Sequence, residues 1–402
     1  YHSVLVMKLD DKLMTGWINV LIIGDSSQGK SETSIRLMEH YGLGERVVLK
    51  NATVAGLIGG LQQLGTRWFV SWGVIPTHDR RLVVLEEVKG ADTDVIGKLT
   101  DMRSSGIAEI PKIERRRAHA RTRLVFISNP RSNRSMSAYN FGIEAIQELI
   151  GGLEDVRRFD AAIAVTAGQV SAEVINKAVR ERSTVPHQYT NELSRRLVLY
   201  AWTRTQDQVR FEPDALEAIF EKSYALCTKF MEGLPLVDRG TMRHKLARLA
   251  TSLAARTFSA DEDNPDIVVV RVCHVEYIHK FLDDTYSAPE FGYLDYSKAQ
   301  AQANVVIEPK VVEAQLFSTR HPKDLISQLL YRDEITMNDI QDWCEVDMDQ
   351  ARKILSLFIR KHCLFRDDRN YYKTADFISL LKGLEQRKDV PEDNDPAEGD
   401  DM

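Results

Sequence analysis

The sequence predicts an α/β core built on a parallel sheet, then an all-helical region, then a small C-terminal domain of three helices and a strand pair. Three observations predict it. Gly24-Asp25-Ser26-Ser27-Gln28-Gly29-Lys30-Ser31 fills every fixed position of the pattern G-x-x-x-x-G-K-[ST]. Apolar runs that end in polar residues, such as Leu82 to Glu87 and Leu124 to Asn129, read as strands buried on both faces. Beyond Ser171 the apolar residues recur at i, i+3 and i+4, the spacing of packed helices.

The chain has 402 residues, of which 43% are apolar, enough for two or three domains with sizeable cores. No apolar stretch approaches a membrane span, so no membrane role is expected. Asp10, Asp11 and Lys12 interrupt the early apolar run, so no secretion signal is expected there. Cys227, Cys273, Cys344 and Cys363 match neither a zinc nor a disulfide pattern, which suits a reducing cytoplasm. The net charge of −6 does not advertise nucleic-acid binding, but the acidic, Pro-containing tail at 386–402 reads as disordered and skews the total. Local basic patches therefore carry more information than the sum.

Residues 1–19 read as a lead-in. The Gly24–Ser31 segment follows the apolar run Val20 to Ile23 and precedes a helical stretch, Glu32 to His40. Strand, loop and helix in that order are the context a phosphate-binding loop requires. Its amides and the helix N-terminus face an anion; Lys30 is placed to reach the β- and γ-phosphates and Ser31 to hold Mg²⁺. Val47 to Leu49 reads as a second strand, and Asn51 to Leu64, despite three glycines, as a close-packed helix. Trp68 to Trp72 reads as a hairpin strand with its aromatic residues in the core.

Leu82 to Leu85 reads as a buried strand with Glu86 and Glu87 at its carboxyl end, where open α/β sheets bind ligands. Glu86 is assigned to the metal, through water, and Glu87 to the attacking water. Ile107 to Arg123, with Lys112, Arg115, Arg116, Arg117, Arg121 and Arg123, reads as a β-hairpin. It either grips nucleic-acid phosphates or is a solvated charge run. Asn129 ends the next strand, beside the loop, where it can orient water or the γ-phosphate. Arg158 precedes the apolar run Ala161 to Val165; such a residue is a salt-bridge partner or a finger reaching a neighbour's nucleotide.

Helices are expected over Asn191 to Trp202, Pro213 to Met231, Thr241 to Phe258 and Val275 to Asp284. Residues 287–309 read as a linker. Pro322 to Leu330, Met337 to Cys344 and Asp347 to Lys361 read as helices, and Leu364 to Lys373 as a strand pair: a winged helix-turn-helix whose third helix carries Arg352, Lys353, Arg360 and Lys361. Contact with DNA and contact with protein both stand as readings of that helix.

The ordered series resembles the AAA+ ATPases and, within them, the minichromosome maintenance (MCM) helicases. Glu86-Glu87 stands at Walker B, Asn129-Pro130 at sensor 1, Arg158-Phe159-Asp160 at the arginine finger and Thr241 to Ala254 at the sensor 2 helix, with Arg243 as its arginine and Arg248 as the alternative. Asn51 to Leu57 is similar to the segment after the Walker A helix, His187 to Trp202 to the start of the lid, and residues 67–80 fall at the helix-2 insert. Ile110-Pro111-Lys112 resembles the tip of the pre-sensor 1 hairpin, which implies DNA contact by Lys112, Arg115, Arg116 and Arg117. The chain departs from the family in having Gly29 where Ala is common and Glu86 where Asp is common, and the family's N-terminal oligonucleotide-binding and zinc domains have no match in these residues. The resemblance leaves it as a divergent member, a member of mobile-element or prophage type, or a trimmed piece of a longer one.

The resemblance implies an AAA+ core at 1–170, a helical lid at 171–286, a linker at 287–309, a winged helix at 310–385 and a tail at 386–402. It implies ATP and Mg²⁺ as cofactors and a homo-oligomer, a hexameric ring, with nucleotide at subunit interfaces. The partners implied are single-stranded and forked DNA, with a replication initiator or primase at the winged helix, in the cytoplasm or on the nucleoid. A remodelling ATPase of the same group, chelatase- or chaperone-like, is the alternative.

Overall fold

The structure, a computed structural model, describes residues 1–111, 115–131, 134–168, 190–230, 233–303, 309–332, 334–361, 363–367, 370–387 and 391. Lys112, the segment 169–189 that includes His187, and the acidic tail apart from Gln386, Arg387 and Pro391 lie outside the described residues. The chain divides into two units, Tyr1–Lys298 and Ala299–Met402.

The first unit opens with a hairpin, β1 (Val6–Leu9) and β2 (Lys12–Thr15), where only a lead-in was expected. Asp10 and Asp11 turn it, both with positive φ, as a two-residue hairpin turn requires. Then come β3 (Asn19–Gly24), β4 (Glu45–Val48), the hairpin β5 (Gly59–Leu64) and β6 (Arg67–Trp72), and β7 (Leu82–Glu86). The hairpin β8 (Ile107–Pro111) and β9 (Arg115–His119), β10 (Arg123–Ser128) and β11 (Ala161–Val165) follow. β3, β4, β7, β10 and β11 form one five-stranded parallel sheet in the order β11-β3-β10-β7-β4. Every residue of β7 is buried, and Leu21, Ile23, Val83, Leu85 and Phe126 are fully covered. The central runs in β3, β7 and β10 are largely apolar, as strands covered on both faces of a parallel sheet are, while the edge strand β4 carries exposed Glu45 and Arg46.

Two expectations fail in the segment between β4 and β7. The helix over 51–64 is a single turn, Val54–Leu57, capped by the Thr53 hydroxyl. Gly59 leaves it at φ +139°, where a Cβ would lie 2.8 Å from the Ser71 carbonyl, and pairing with β6 begins there. Three glycines in ten residues weaken a helix and permit that turn. Nor are the aromatic residues of β6 all in the core: Trp72 packs against it, but Trp68 is 51% and Phe69 44% exposed. Adjacent residues on a strand face opposite ways, so both faces of this hairpin meet solvent.

Helices Asn191–Thr203, Pro213–Lys229, Met242–Arg256 and Val272–Ser287 complete the unit, with a short parallel pair, β12 (Val209–Phe211) and β13 (Val268–Val270), between them. The stretch read as a linker instead holds the helix Tyr293–Ala303. Phe291 and Tyr293 are buried against Phe230 and Tyr286, an aromatic cluster that ties residues up to 298 into this unit.

The second unit has its own core. Helices Pro322–Tyr331, Met337–Cys344 and Met348–Arg360 precede the antiparallel pair β14 (Leu364–Asp367) and β15 (Asn370–Lys373), in the expected order. Two further helices, Pro309–Phe317 and Ala375–Glu385, flank them. Among the described residues no helix is long and apolar enough to cross a membrane.

Candidate functional site

The loop after β3 is shaped by close approach and by handedness. Gly24 lies opposite Val165 of β11, and a Cβ there would sit 2.0 Å from the Val165 carbonyl oxygen. Ser27 and Gly29 have φ of 61° and 74°, which turns the chain into the helix Lys30–Tyr41. No atom lies within 4 Å of a Cβ built on Gly29, so conformation, not space, selects glycine there; a side chain would cost about 1–2 kcal/mol. The helix N-terminus and the loop amides form an anion-binding end.

Within the loop the side chains divide. The Asp25 carboxylate faces inward and accepts from the amides of Met136 (2.7 Å) and Ala167 (2.8 Å), so it anchors the loop to the segments after β10 and β11. Ser26, Ser27, Gln28, Gly29, Lys30 and Ser31 instead border a hollow of about 230 Å³. The Lys30 ammonium donates to the carbonyls of Gly24 (3.0 Å) and Asp25. Burial lowers its pKa, against the opposing pull of Asp25 and Glu87.

The two carboxylates after β7 have different surroundings. Glu86 is 2% exposed. Its Oε2 accepts from the Arg46 guanidinium on β4, with Nε at 2.8 Å, and the Ser34 hydroxyl lies 3.2 Å from its Oε1 and 2.8 Å from the Ser31 carbonyl. Glu87 has φ 54° and ψ 43°, which breaks the strand and turns its exposed side chain into the hollow. β10 lies between β3 and β7, so Asn129 arrives between the loop and Glu87. Its amide donates to Ser26 Oγ at 3.1 Å. Lys30, Ser31, Glu87 and Asn129, four sequence-selected residues from three segments, thus share one hollow.

The donor set suits Mg²⁺, which takes few protein oxygens, keeps waters and relies on phosphate. Ser31 borders the hollow, whereas Glu86 does not: it is buried behind it, its Oε1 accepting from the Ser34 hydroxyl and its Oε2 from Arg46. Among the described residues no group of three or more His, Cys, Asp or Glu could hold a metal alone. Sequence reasoning missed Arg46. Nothing local marks it; it becomes a site residue only because β4 pairs with β7.

The arginines expected to act from outside stand at the other end of the sheet. Arg158 precedes β11, whose Ala161 lies beside Val20 while Val165 lies beside Gly24. It is therefore at least a strand length, about 15 Å, from its own loop. Arg158 is half-buried, and its Nε is buried without a hydrogen bond. Arg243 pairs with Asp10 near the surface. Arg248 is bound to buried Asp160 at 2.6 Å, and Asp160 also accepts from the Asn19 amide at 2.7 Å. Arg103 is stacked beneath Phe159, its pKa lowered by burial to about 9. Lys245 donates to the Leu236 carbonyl at 2.7 Å, its pKa lowered by burial to about 7.

The arginine-rich run separates in the same way. Arg123 is fully buried, bound to Ser3 and the Arg80 carbonyl and stacked on Trp202. Arg121 is bound to Asp79. On the β8–β9 hairpin, Arg117 pairs with Glu109 at 2.8 Å, and Arg115 and Arg116 stand opposite Pro111 and Ile110. Ile110 lies against Gly59, so the exposed aromatic hairpin β5–β6 is its neighbour. No family model matches the chain, and no curated protein matches it.

Proposed function

We propose that the chain is an MCM-like AAA+ ATPase that works as a ring and couples ATP hydrolysis to movement along single-stranded DNA and unwinding of forked duplex. One observation carries the reading: Lys30, Ser31, Glu87 and Asn129 border one hollow at the carboxyl end of the sheet, while Arg158 stands at the amino end. In this reading Lys30 neutralises the γ-phosphate, Asn129 orients the attacking water and Glu87 takes its proton. Mg²⁺, when bound, neutralises charge on the β- and γ-phosphates, with Ser31 and Glu86 as its protein side. Arg158 of a neighbouring copy completes the site, because it cannot reach its own. Helices 191–287 serve as the lid, with Arg243 turned to a neighbour's nucleotide, and the second unit is a winged helix. Lys112, Arg115, Arg116 and Arg117 follow the DNA backbone through phosphate contacts, which carry no base sequence.

The test is ATP turnover with and without single-stranded DNA; stimulation is expected, and no turnover in either condition would refute the reading. Trp68 and Phe69 favour a second reading, since exposed aromatics also grip apolar polypeptide. Turnover stimulated by an unfolded polypeptide and unmoved by DNA would select the remodelling ATPase.

A further inference from the structure

The second unit carries a surface that ATP hydrolysis does not use. Helix Met337–Cys344 is followed by three residues, Glu345, Val346 and Asp347, and then by helix Met348–Arg360. Glu345 takes φ 52° and ψ 45°, which closes the first helix, and the Asp347 carboxylate accepts from the Gln350 amide and starts the second. Thr336 and Asp339 form a capping box on the first helix. Two helices joined by so short a turn form a helix-turn-helix, whose second helix suits the major groove.

The second helix is strongly two-sided. Ala351, Ile354, Leu355 and Phe358 are buried in the unit's core. Asp349, Arg352, Lys353, Ser356 and Arg360 form the opposite, exposed stripe, spaced i, i+3, i+4, i+7 and i+11. They border a hollow of about 530 Å³ beside Gln315. Lys353 and Arg360 have no ion pair among the described residues, and Arg352 has only Asp349, 3.6 Å away in solvent. Two other exposed cations of the unit, Arg320 and Arg387, are paired with Glu345 and Glu313. Asp349, the one acid of the stripe, lies in the helix's first turn, where it offsets the helix dipole.

We propose that the second unit binds duplex DNA through this stripe. Arg352 and Arg360 are eight residues apart, about 12 Å along the helix axis. A helix lying in the major groove would set cations at both ends of the stripe, Arg352 with Lys353 and Arg360, against backbone phosphates. Three cations without strong partners give affinity through counterion release, with little dependence on base sequence.

The test uses the full chain and its triple variant Arg352→Ala, Lys353→Ala, Arg360→Ala. Fluorescence anisotropy would follow binding to a blunt duplex of about 20 base pairs and to one of its strands alone. All three side chains are exposed, so the variant is expected to unfold at the parent's temperature and bind ATP like the parent. Duplex affinity should fall about tenfold or more, and the slope of log affinity against log salt should flatten by about 2.7, 0.9 for each phosphate contact. Binding to the single strand should not change. Duplex binding by the variant equal to the parent's, equal losses on duplex and single strand, or no duplex binding by the parent would each overturn the proposal. None of these readouts depends on ATP hydrolysis, so failure here leaves the proposed function to its own test.

Discussion

At the carboxyl end of the parallel sheet, Lys30, Glu87 and Asn129 face outward around a hollow. At the amino end, charged groups are turned in on one another: Asp160 holds Arg248 and the Asn19 amide, Arg103 lies under Phe159, and Lys245 has only a carbonyl partner at hydrogen-bond distance. In the proposed function the same residue types serve chemistry at one end and architecture at the other. The difference is burial: an exposed charge is free to meet a ligand, while a buried one must be paired or desolvated at a cost. Arg158 is half-buried with a buried, unbonded Nε, and it is the residue proposed to act on a neighbouring copy.

The comparison predicts that carboxyl-end substitutions cost activity and amino-end substitutions cost stability. Arg158→Ala should sharpen the exception. It should lower turnover by about 10³-fold or more while leaving the unfolding temperature unchanged, as measured by steady-state ATPase and thermal melts. Glu87→Gln should bind ATP like the parent and hydrolyse it about 10²–10⁴-fold more slowly; normal turnover would remove Glu87 from its role.

Asp160→Ala should do the reverse. It strands Arg248 and leaves the Asn19 amide without an acceptor, so denaturant titration should show a loss of about 3–5 kcal/mol. A neutral result would mean that the amino-end network is not structural.

Arg46→Ala tests the ion pair that breaks the pattern, because Glu86 is buried at the carboxyl end. Stability should fall by about 1–2 kcal/mol, less than for a fully buried pair since Arg46 is half exposed. The Mg²⁺ concentration needed for half-maximal ATP binding should rise, and Arg46→Lys should restore only part of it, because lysine keeps the charge but not the planar fork. Unchanged Mg²⁺ dependence in both variants would reduce Arg46 to an ordinary salt bridge.

The smallest effect is a pH slope. Burial brings the Lys245 pKa from 10.5 down to about 7, with Asp160, Arg248, Asp238 and Arg103 around it. Between those two values the unfolded chain binds more protons than the folded one, so stability rises with pH. The gain should be roughly 2 kcal/mol between pH 7 and 9. Chemical denaturation of Lys245→Met should show that part of the slope gone; an identical slope would assign it to other groups.

Much of the carboxyl end was legible because its signals are local. The spacing of Gly24, Gly29, Lys30 and Ser31 and the polar ends of the runs at Glu87 and Asn129 are written in short stretches. The limits of that legibility are physical. Arg46 joins the site through strand pairing 40 residues away in sequence, and Asp25 looks like its loop neighbours until the amides of Met136 and Ala167 are placed beside it. Apolar periodicity suggested a helix over 51–64, but it could not register that Gly59 would adopt φ +139° and begin a hairpin. Nor does hydrophobicity say which side of a projecting strand is covered, so Trp68 and Phe69 read as core. The three helices read from the sequence in the second unit lie within a residue of their observed bounds, Pro322–Tyr331, Met337–Cys344 and Met348–Arg360.

The claim that joins the two ends is that one copy's loop is completed by another copy's Arg158. Mixing Lys30→Ala chains, which lack the phosphate-facing charge, with Arg158→Ala chains, which lack the finger, tests it directly. In a mixed assembly some interfaces pair an intact loop with an intact Arg158, so ATP turnover should pass through a maximum as the ratio varies and exceed the sum of the two variants measured alone. Turnover that never exceeds that sum at any ratio, with mixed assembly verified by co-purification of differently tagged chains, would contradict the shared site.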